Sequence, residues 1–387
     1  MKINFPLLAL ALAIGAFAIG TTEFSPMGLL PNIAHDLNIG IPTVGMLITG
    51  YALGVMLGAP VMTLWLGHIS RRKALIFLMM LFTIGNLMAA IAPNYWSLIA
   101  ARLITSLNHG AFFGIGSVVA ASVVPAHKQA SAVASMFMGL TIANIGGVPL
   151  ATWLGQTIGW RTAFFAISAL GVITMWSLFK ALPQGSTGQR PDIKAEIKVL
   201  TGLPIIIALL TTVLGASAMF TLYTYIAPSL QHLTQATPTF VTLMLVLVGL
   251  GFSIGNHFGG QYADRSINRT LIVLFIVLIV SMLSFPYLAQ SPLGAAIALI
   301  IWGAAAFGLV PPVQMRVMSI AHKAPGLASS INIGAFNLGN AVGAAVGGAV
   351  LSLNLGYEYV SYAGAGLAAL GLLLVLIQMR LSATNNL

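Results

Sequence analysis

The sequence predicts an all-α integral membrane protein with twelve transmembrane helices in two pseudo-symmetric six-helix halves. Three observations carry that expectation. The 387-residue chain is 58% hydrophobic and only 6% charged, with a mean hydropathy of +0.99, far outside the mix of a soluble domain. Its apolar residues fall into twelve stretches, each long enough for the roughly 20-residue helix that a bilayer core of about 30 Å requires. A stripe of small residues in the fifth stretch recurs in the eleventh, 196 residues later.

In chain order the expected spans are 5–30, 43–66, 74–92, 95–123, 130–155 and 162–181, then 204–228, 238–258, 270–289, 294–318, 327–352 and 358–379. The first follows Lys2 and opens with a short "ALALA" run. Its apolar stretch continues for about 26 residues, longer than the h-region of a signal peptide, so it is expected to be a retained helix. The basic run in "LWLGHISRRKAL" (64–75) divides the second span from the third, and Tyr95 and Trp96 open the fourth as interfacial anchors. "GQTIGWRT" divides the fifth from the sixth. Apolar and polar residues do not alternate at period two, which sets a transmembrane barrel aside.

With the N-terminus in the cytoplasm, fourteen of the sixteen Lys and Arg residues fall on the cytoplasmic side. Arg161 alone lies on the outer side and Arg102 lies inside a span. The positive-inside rule therefore places both termini in the cytoplasm. The net charge of +10 is thus a topology signal, and no nucleic-acid partner is expected. The chain has no Cys, which excludes disulfides and thiolate chemistry.

The longest polar segment, "LPQGSTGQRPDIKAEIKVLTGLP", begins at residue 182 and is rich in Pro, Gly and charge. It separates an N-terminal bundle, 1–181, from a C-terminal bundle, 204–387, through a cytoplasmic linker, 182–203. Within the linker, "DIKAEIKVL" (192–200) has the pattern of a short amphipathic surface helix, with Lys194 and Lys198 near headgroups. The small-residue stripes are Gly139, Ala143, Gly147 and Ala151 in span five, and Ala335, Gly339, Gly343 and Gly347 in span eleven. Four-residue spacing puts each stripe on one helix face, where backbones approach closely. A matching register in both halves points to internal duplication, which suits alternating access about a site near the midplane.

Several motifs then carry a family resemblance. "GGQYADRSINR" (259–269) matches the Gly-x-x-x-Asp-Arg loop of the major facilitator superfamily, and "LWLGHISRRKAL" keeps that loop's basic run without its acidic residue. "RLITSLNHGAFFG" (102–114) resembles the superfamily's span-four Arg motif, and "GLTIANIGGVPLATWLG" (139–155), with Pro149, resembles the Gly-Pro motif of its antiporters. "TTEFSPMGLLPNIAHDL" (21–37) resembles the start of bacterial drug:proton antiporters of the arabinose efflux permease type. The resemblance covers essentially the whole chain. It implies a multi-pass protein of the bacterial inner membrane with a central cavity lined by spans one and four, working as a monomer. It also implies proton-coupled efflux of a small organic substrate such as a drug or sugar, without cofactor or metal; the alternative is a proton symporter or uniporter for a sugar or nucleoside.

Buried charge supplies the site. A charged residue at the centre of a span costs about 2.5–3.5 kcal/mol on insertion scales and so marks function, with a partner to be named. Glu23 is the only acidic residue in the first eleven spans. At 1.5 Å per residue it lies roughly 10 Å inside the outer boundary, and Arg102 lies at a similar depth. The two are expected to face one water-accessible cavity, with Glu23 as the proton-coupling residue; the alternative is a fixed structural ion pair or a carboxyl hydrogen-bonded to backbone at the Pro26 break. His109, two turns beyond Arg102, is expected near mid-membrane on the same face, relaying protons, binding substrate or bonding a neighbouring helix. Tyr51, Asn144, Tyr223, Tyr225, Gln314, Asn332 and Asn337 are the polar candidates for the substrate cavity. Asp264 and Arg265, with Arg71 and Arg72, are expected to form a cytoplasmic gate in which Asp264 pairs with Arg and accepts from a helix N-terminus. Gly139, Gly147, Pro149, Gly339, Gly343 and Gly347 are assigned to helix packing. Arg316 is expected to snorkel, Asn256 and His257 to sit at the interface, and most of the 17 Met and 19 Phe to face lipid.

Other classes fare worse. The Gly-x-Ser of "GASA" (215–218) has no His in its span to activate it, so an intramembrane hydrolase is not expected. The polar residues are scattered, not ringed as in a channel. A sensor or scaffold would be expected to carry a large soluble output segment, whereas "LSATNNL" (381–387) alone follows the last span.

Overall fold

The computed structural model describes residues 5–183 and 200–384, so the amphipathic segment expected at 192–200 lies, Leu200 apart, outside the described residues. The helices are α1 (Phe5–Leu37), α2 (Ile41–Leu66), α3 (Arg71–Ala90), α4 (Tyr95–Ser122), α5 (Gln129–Ile142), α6 (Val148–Thr157), α7 (Trp160–Ala181), α8 (Leu203–Tyr223), α9 (Ile226–Leu233), α10 (Pro238–Arg265), α11 (Ile267–Leu288), α12 (Pro292–Gly308), α13 (Val310–Ile320), α14 (Pro325–Ser352) and α15 (Tyr357–Thr384). Twelve spans long and apolar enough to cross a membrane result among the described residues. The fifth, Ala126–Thr157, strings together a 3-10 turn, α5, a π-helical stretch Ala143–Gly147 and α6; the tenth joins α12 to α13.

Local chemistry sets the ends. Ser70 accepts from the amide of Lys73, Asn94 and Ser97 form a reciprocal capping box, and Thr237 and Ser291 cap α10 and α12. Gly159 adopts φ +130° between α6 and α7, a conformation that strains an L side chain, and so divides spans five and six. Pro149 has no N–H to give the carbonyl of Ile145, and the π-helical widening just before it absorbs that loss inside one continuous span. Lipid offers no partners for backbone groups, so even Ser and Thr hydroxyls turn back on their own helices, as Thr83 does to Met79 and Thr211 to Ile207.

The described chain forms two compact units. The first comprises Met1–Pro125, Ser135–Glu196 and Ala324–Gly334; the second comprises Ala126–Ala134, Ile197–Lys323 and Ala335–Leu387. Inside the first, α2 packs on α4, α3 packs on α4 and α7, and α1 packs on α7 and α6. Inside the second the same scheme recurs: α10 packs on α12, α11 on α12 and α15, and α8 on α15. The small-residue stripes fit this repetition. A Cβ at Gly139 would collide with the backbone carbonyl of Ala13 on α1, and one at Gly343 with that of Ser217 on α8. The first helix of each half is thus in backbone contact with the fifth.

Between the stripes the interior is filled by bulk. Ten phenylalanines, including Phe82, Phe112, Phe113, Phe275 and Phe285, are buried among the helices, which corrects the expectation that most would face lipid. Where small residues do not let backbones close up, large rings fill the gap.

Candidate functional site

A buried polar cluster of the first unit forms where α1, α2, α3 and α4 meet. It begins with a proline. Pro26 cannot donate to the carbonyl of Thr22 one turn back, so α1 carries an acceptor without a helical partner inside the membrane. Arg102 on α4 fills it: its Nη1 donates to the Thr22 carbonyl at 2.9 Å and lies 3.3 Å from the Thr22 hydroxyl. That hydroxyl donates to Asn86 Oδ1 at 2.6 Å, and the Asn86 amide donates to the Phe82 carbonyl at 2.9 Å.

Arg102 is only 2% exposed, so its charge is held wholly inside protein. Its guanidinium stands 4.1 Å from the centroid of the Tyr51 ring on α2, a cation–π contact that is strong when desolvated. The Tyr51 hydroxyl is 3.2 Å from His109 Nδ1, and the His109 ring leans on Phe113 at 5.2 Å. Among the described residues, Arg102 Nε and Nη2 find no hydrogen-bond partner. Glu23, next in sequence to Thr22, is half-buried and within electrostatic reach of Arg102. No ion pair within 4.0 Å joins them; among the described residues that distance is reached only by Arg161 and Asp36. The structure therefore brings Glu23, Arg102, His109 and Tyr51 together, with two guanidinium nitrogens lacking hydrogen-bond partners among the described residues and a carboxylate beyond ion-pairing distance.

Sequence reasoning missed Thr22 and Asn86. The signal for Thr22 was available, four residues before Pro26; Asn86 is a lone amide in an apolar span and carries none.

The remaining sequence candidates fall on both units. Asn144 and Asn332 belong to the first, and Asn144 bonds back to the Leu140 carbonyl at 3.0 Å. Asn332, Asn337 and Gln314 are buried, the last two in the second unit. Also there, the Tyr225 hydroxyl donates to the Ala344 carbonyl at 2.9 Å, and Tyr223 stacks with Trp302 at 6.3 Å. Arg71 reaches the Ser122 hydroxyl at 3.4 Å and Arg72 lies over the Phe179 ring at 4.1 Å.

Asp264 makes its bonds to a helix start, accepting from the amides of Ala130 at 2.7 Å and Ser131 at 3.1 Å and from the Ser131 hydroxyl. Arg265 turns to the Tyr262 ring, 5.8 Å away, and not to that carboxylate. Besides the pairing of Asp264 with Arg265, which the carboxylate's bonds to the helix start replace, two expectations need correction. Arg316 does not snorkel: it is buried, held by Gln378 and Asn268. Asn256 is fully buried, donating to the Ala134 carbonyl at 2.7 Å, while His257 beside it is exposed as expected. In both cases, helix packing near a span end covers a position that hydropathy alone assigns to the interface. No group of three His, Cys, Asp or Glu suited to a metal occurs among the described residues.

Comparison with known proteins decides the family. The model of the Major Facilitator Superfamily matches residues 12–331. The chain is a member of the major facilitator superfamily. The inner membrane transport protein YdhP of Escherichia coli (strain K12) is 65% identical over 380 residues, covering 98% of this chain and 97% of that protein. A probable sugar efflux transporter of Helicobacter pylori (strain J99 / ATCC 700824) is 32% identical, covering 93% and 92%. Among solved structures, the E. coli fucose:proton symporter FucP aligns with a TM-score of 0.77 over 97% of this chain and 98% of that one, at 14% identity, a likeness of fold. This superfamily member is accordingly a multi-pass inner-membrane transporter of small molecules and not an enzyme.

Proposed function

We propose that this transporter exports a small organic solute in exchange for protons, and that Glu23 carries the proton. The observation that supports this reading is the mismatch at Arg102: a buried guanidinium with two unpartnered nitrogens beside a half-buried carboxylate that it does not yet bind. Leaving a buried cation underbonded is costly, and a swing of ionised Glu23 onto Nε and Nη2 satisfies it. Protonated Glu23 has no such drive. The cluster thus offers two arrangements differing by one proton, the element that coupling needs. The Tyr51 ring supports the guanidinium by its cation–π contact, and His109 meets the Tyr51 hydroxyl. The relative named as a probable sugar efflux transporter favours outward movement of a polar organic solute.

In this reading both termini are cytoplasmic, as the distribution of Lys and Arg favours. Asp264, capping the helix that starts at Gln129, then serves as a cytoplasmic gate whose bonds break when access alternates.

Proteoliposomes under an imposed pH gradient test the proposal, with labelled sugars and drugs screened for wild type and Glu23→Gln. Loss of gradient-driven transport with retention of solute exchange is expected for the variant. Unchanged gradient dependence would overturn the role of Glu23.

A further inference from the structure

Where four spans of the second unit end, a polar cavity of about 430 Å³ opens, lined by Arg265, Ser266, Asn268, Arg316, Ser319 and Gln378. The eighth span ends at Arg265, the ninth begins at Ile267, the tenth ends at Ile320 and the twelfth ends at Leu381. Helices that terminate together do so near the membrane–water boundary, so the cavity lies at headgroup level.

Its chemistry is cationic. Arg316 is buried, and neutral acceptors alone hold it: Gln378 Oε1 lies 3.3 Å from Nη1, and Asn268 Oδ1 bonds Nη2. Arg265, exposed, adds a second guanidinium. Among the described residues no carboxylate lies within ion-pairing distance of either. A buried charge with only neutral partners leaves its Coulomb energy uncompensated, and a cavity that opens onto it admits an anion.

A second feature says which anion. Arg265 and Ser266 also line an apolar groove of about 770 Å³ between α10, α11 and α12, with Tyr262, Val273, Val277 and Ile301 along it. From Ile267 to Val277 the groove descends roughly 15 Å into the membrane at 1.5 Å per residue, about the depth that one leaflet's acyl chains occupy in a core of about 30 Å. A polar cationic chamber that shares two residues with an apolar trough has the shape and charge of one amphiphile.

We propose that this is a binding site for an anionic glycerophospholipid, with the phosphate in the Arg316–Arg265 cavity and an acyl chain in the α10–α11–α12 groove. This goes beyond solute transport and does not depend on Glu23. The apolar trough favours the lipid over free phosphate, which has nothing to place there.

The test uses the full-length protein, purified and delipidated in detergent, with binding of dioleoylphosphatidylglycerol, dioleoylphosphatidylcholine and inorganic phosphate measured by native mass spectrometry and thermal shift. An arginine near a membrane surface contributes about fivefold in affinity for an anionic headgroup. Wild type is expected to prefer phosphatidylglycerol over phosphatidylcholine by about 25-fold, and Arg265→Gln or Arg316→Gln to reduce that to about fivefold. Val273→Trp, which fills the groove, is expected to weaken both lipids. Arg265 is exposed, so its variant keeps the test open if Arg316→Gln fails to fold. Equal binding of the two lipids to wild type overturns the proposal, as does a preference that survives both arginine variants. Inorganic phosphate displacing phosphatidylglycerol while Val273→Trp binds normally also overturns it, assigning the cavity to a free anion.

Discussion

The guanidinium of Arg102 rests 4.1 Å above the Tyr51 ring while its Nη1 donates to the carbonyl of Thr22. The two contacts fix the cation between α1 and α2, and they separate by substitution. Tyr51→Phe keeps the ring and loses the hydroxyl's bond to His109, an expected cost of about 1 kcal/mol. Tyr51→Leu removes the cation–π contact too, and is expected to cost about 2 kcal/mol more. Thermal unfolding of the purified variants measures the difference, and equal effects would mean that the ring does not support the charge.

Arg102→Lys tests geometry at constant charge. An ammonium cannot donate to Thr22, stack on Tyr51 and still present nitrogens toward Glu23. Gradient-driven transport is expected to fall at least about tenfold, the loss of roughly 1.4 kcal/mol of positioning, with the protein still folded by thermal melt.

At the opposite end of the first bundle from Arg71, Asp36 on α1 accepts from Arg161 and from Trp160 Nε1 at 3.1 Å, and Arg161 also reaches the Ala92 carbonyl at 2.8 Å. The hydrogen bond from Arg161 holds the Asp36 carboxyl below its ordinary value, with the Trp160 bond adding to it. A depressed carboxylate contributes stability that is full above the unfolded value of about 3.9 and disappears as pH falls through the folded one. Both side chains are substantially exposed, so the pair is worth only about 0.5 kcal/mol. The gap in melting temperature between wild type and Asp36→Asn is expected to be constant from about pH 5 to 8 and to close below about pH 4. A gap that widens in acid would contradict the pairing.

Asp264 bonds to the amides of Ala130 and Ser131 in the manner of a helix cap. Loss of such a cap costs about 1–2 kcal/mol. In Asp264→Ala, hydrogen exchange at residues 129–133 is expected to quicken by about 5–30-fold, while exchange in α3 stays unchanged. Unaltered exchange at 129–133 would show that the carboxylate does not hold that helix start.

Gly139 stands where a Cβ would enter the Ala13 backbone, and a backbone cannot step aside as a flexible side chain can. Gly139→Ala is expected to cost about 1–3 kcal/mol and Gly139→Leu to prevent stable accumulation in the membrane. At Gly146, where nothing lies within 4 Å, the same Ala change is expected to cost less than half as much. Similar losses at the two positions would refute close packing as the reason for the stripe.

Every span was legible in the sequence, because an apolar run of about 20 residues fits a bilayer and little else. The face carrying each stripe could be read from small residues four apart, but the helix that meets it could not. The π-helical stretch before Pro149 was not, because hydropathy averages over the register in which one residue is added to a turn. Hydropathy also misplaced Arg316 and Asn256, whose burial depends on the ends of helices far away in sequence. At the Glu23 cluster the sequence carried the charges. The missing part was the carbonyl that Pro26 frees at Thr22, which engages Arg102.

The compact units do not respect the sequence halves: residues 126–134 belong with the second unit and 324–334 with the first. Each half therefore lends the other a short segment, as two people exchange a glove. A chain severed in the 182–203 connection yields two polypeptides, neither of which contains a complete unit. Fragment complementation is the consequence: synthesised apart, each half should be recognised as incomplete and degraded, and synthesised together they should rebuild the transporter without a peptide bond between them.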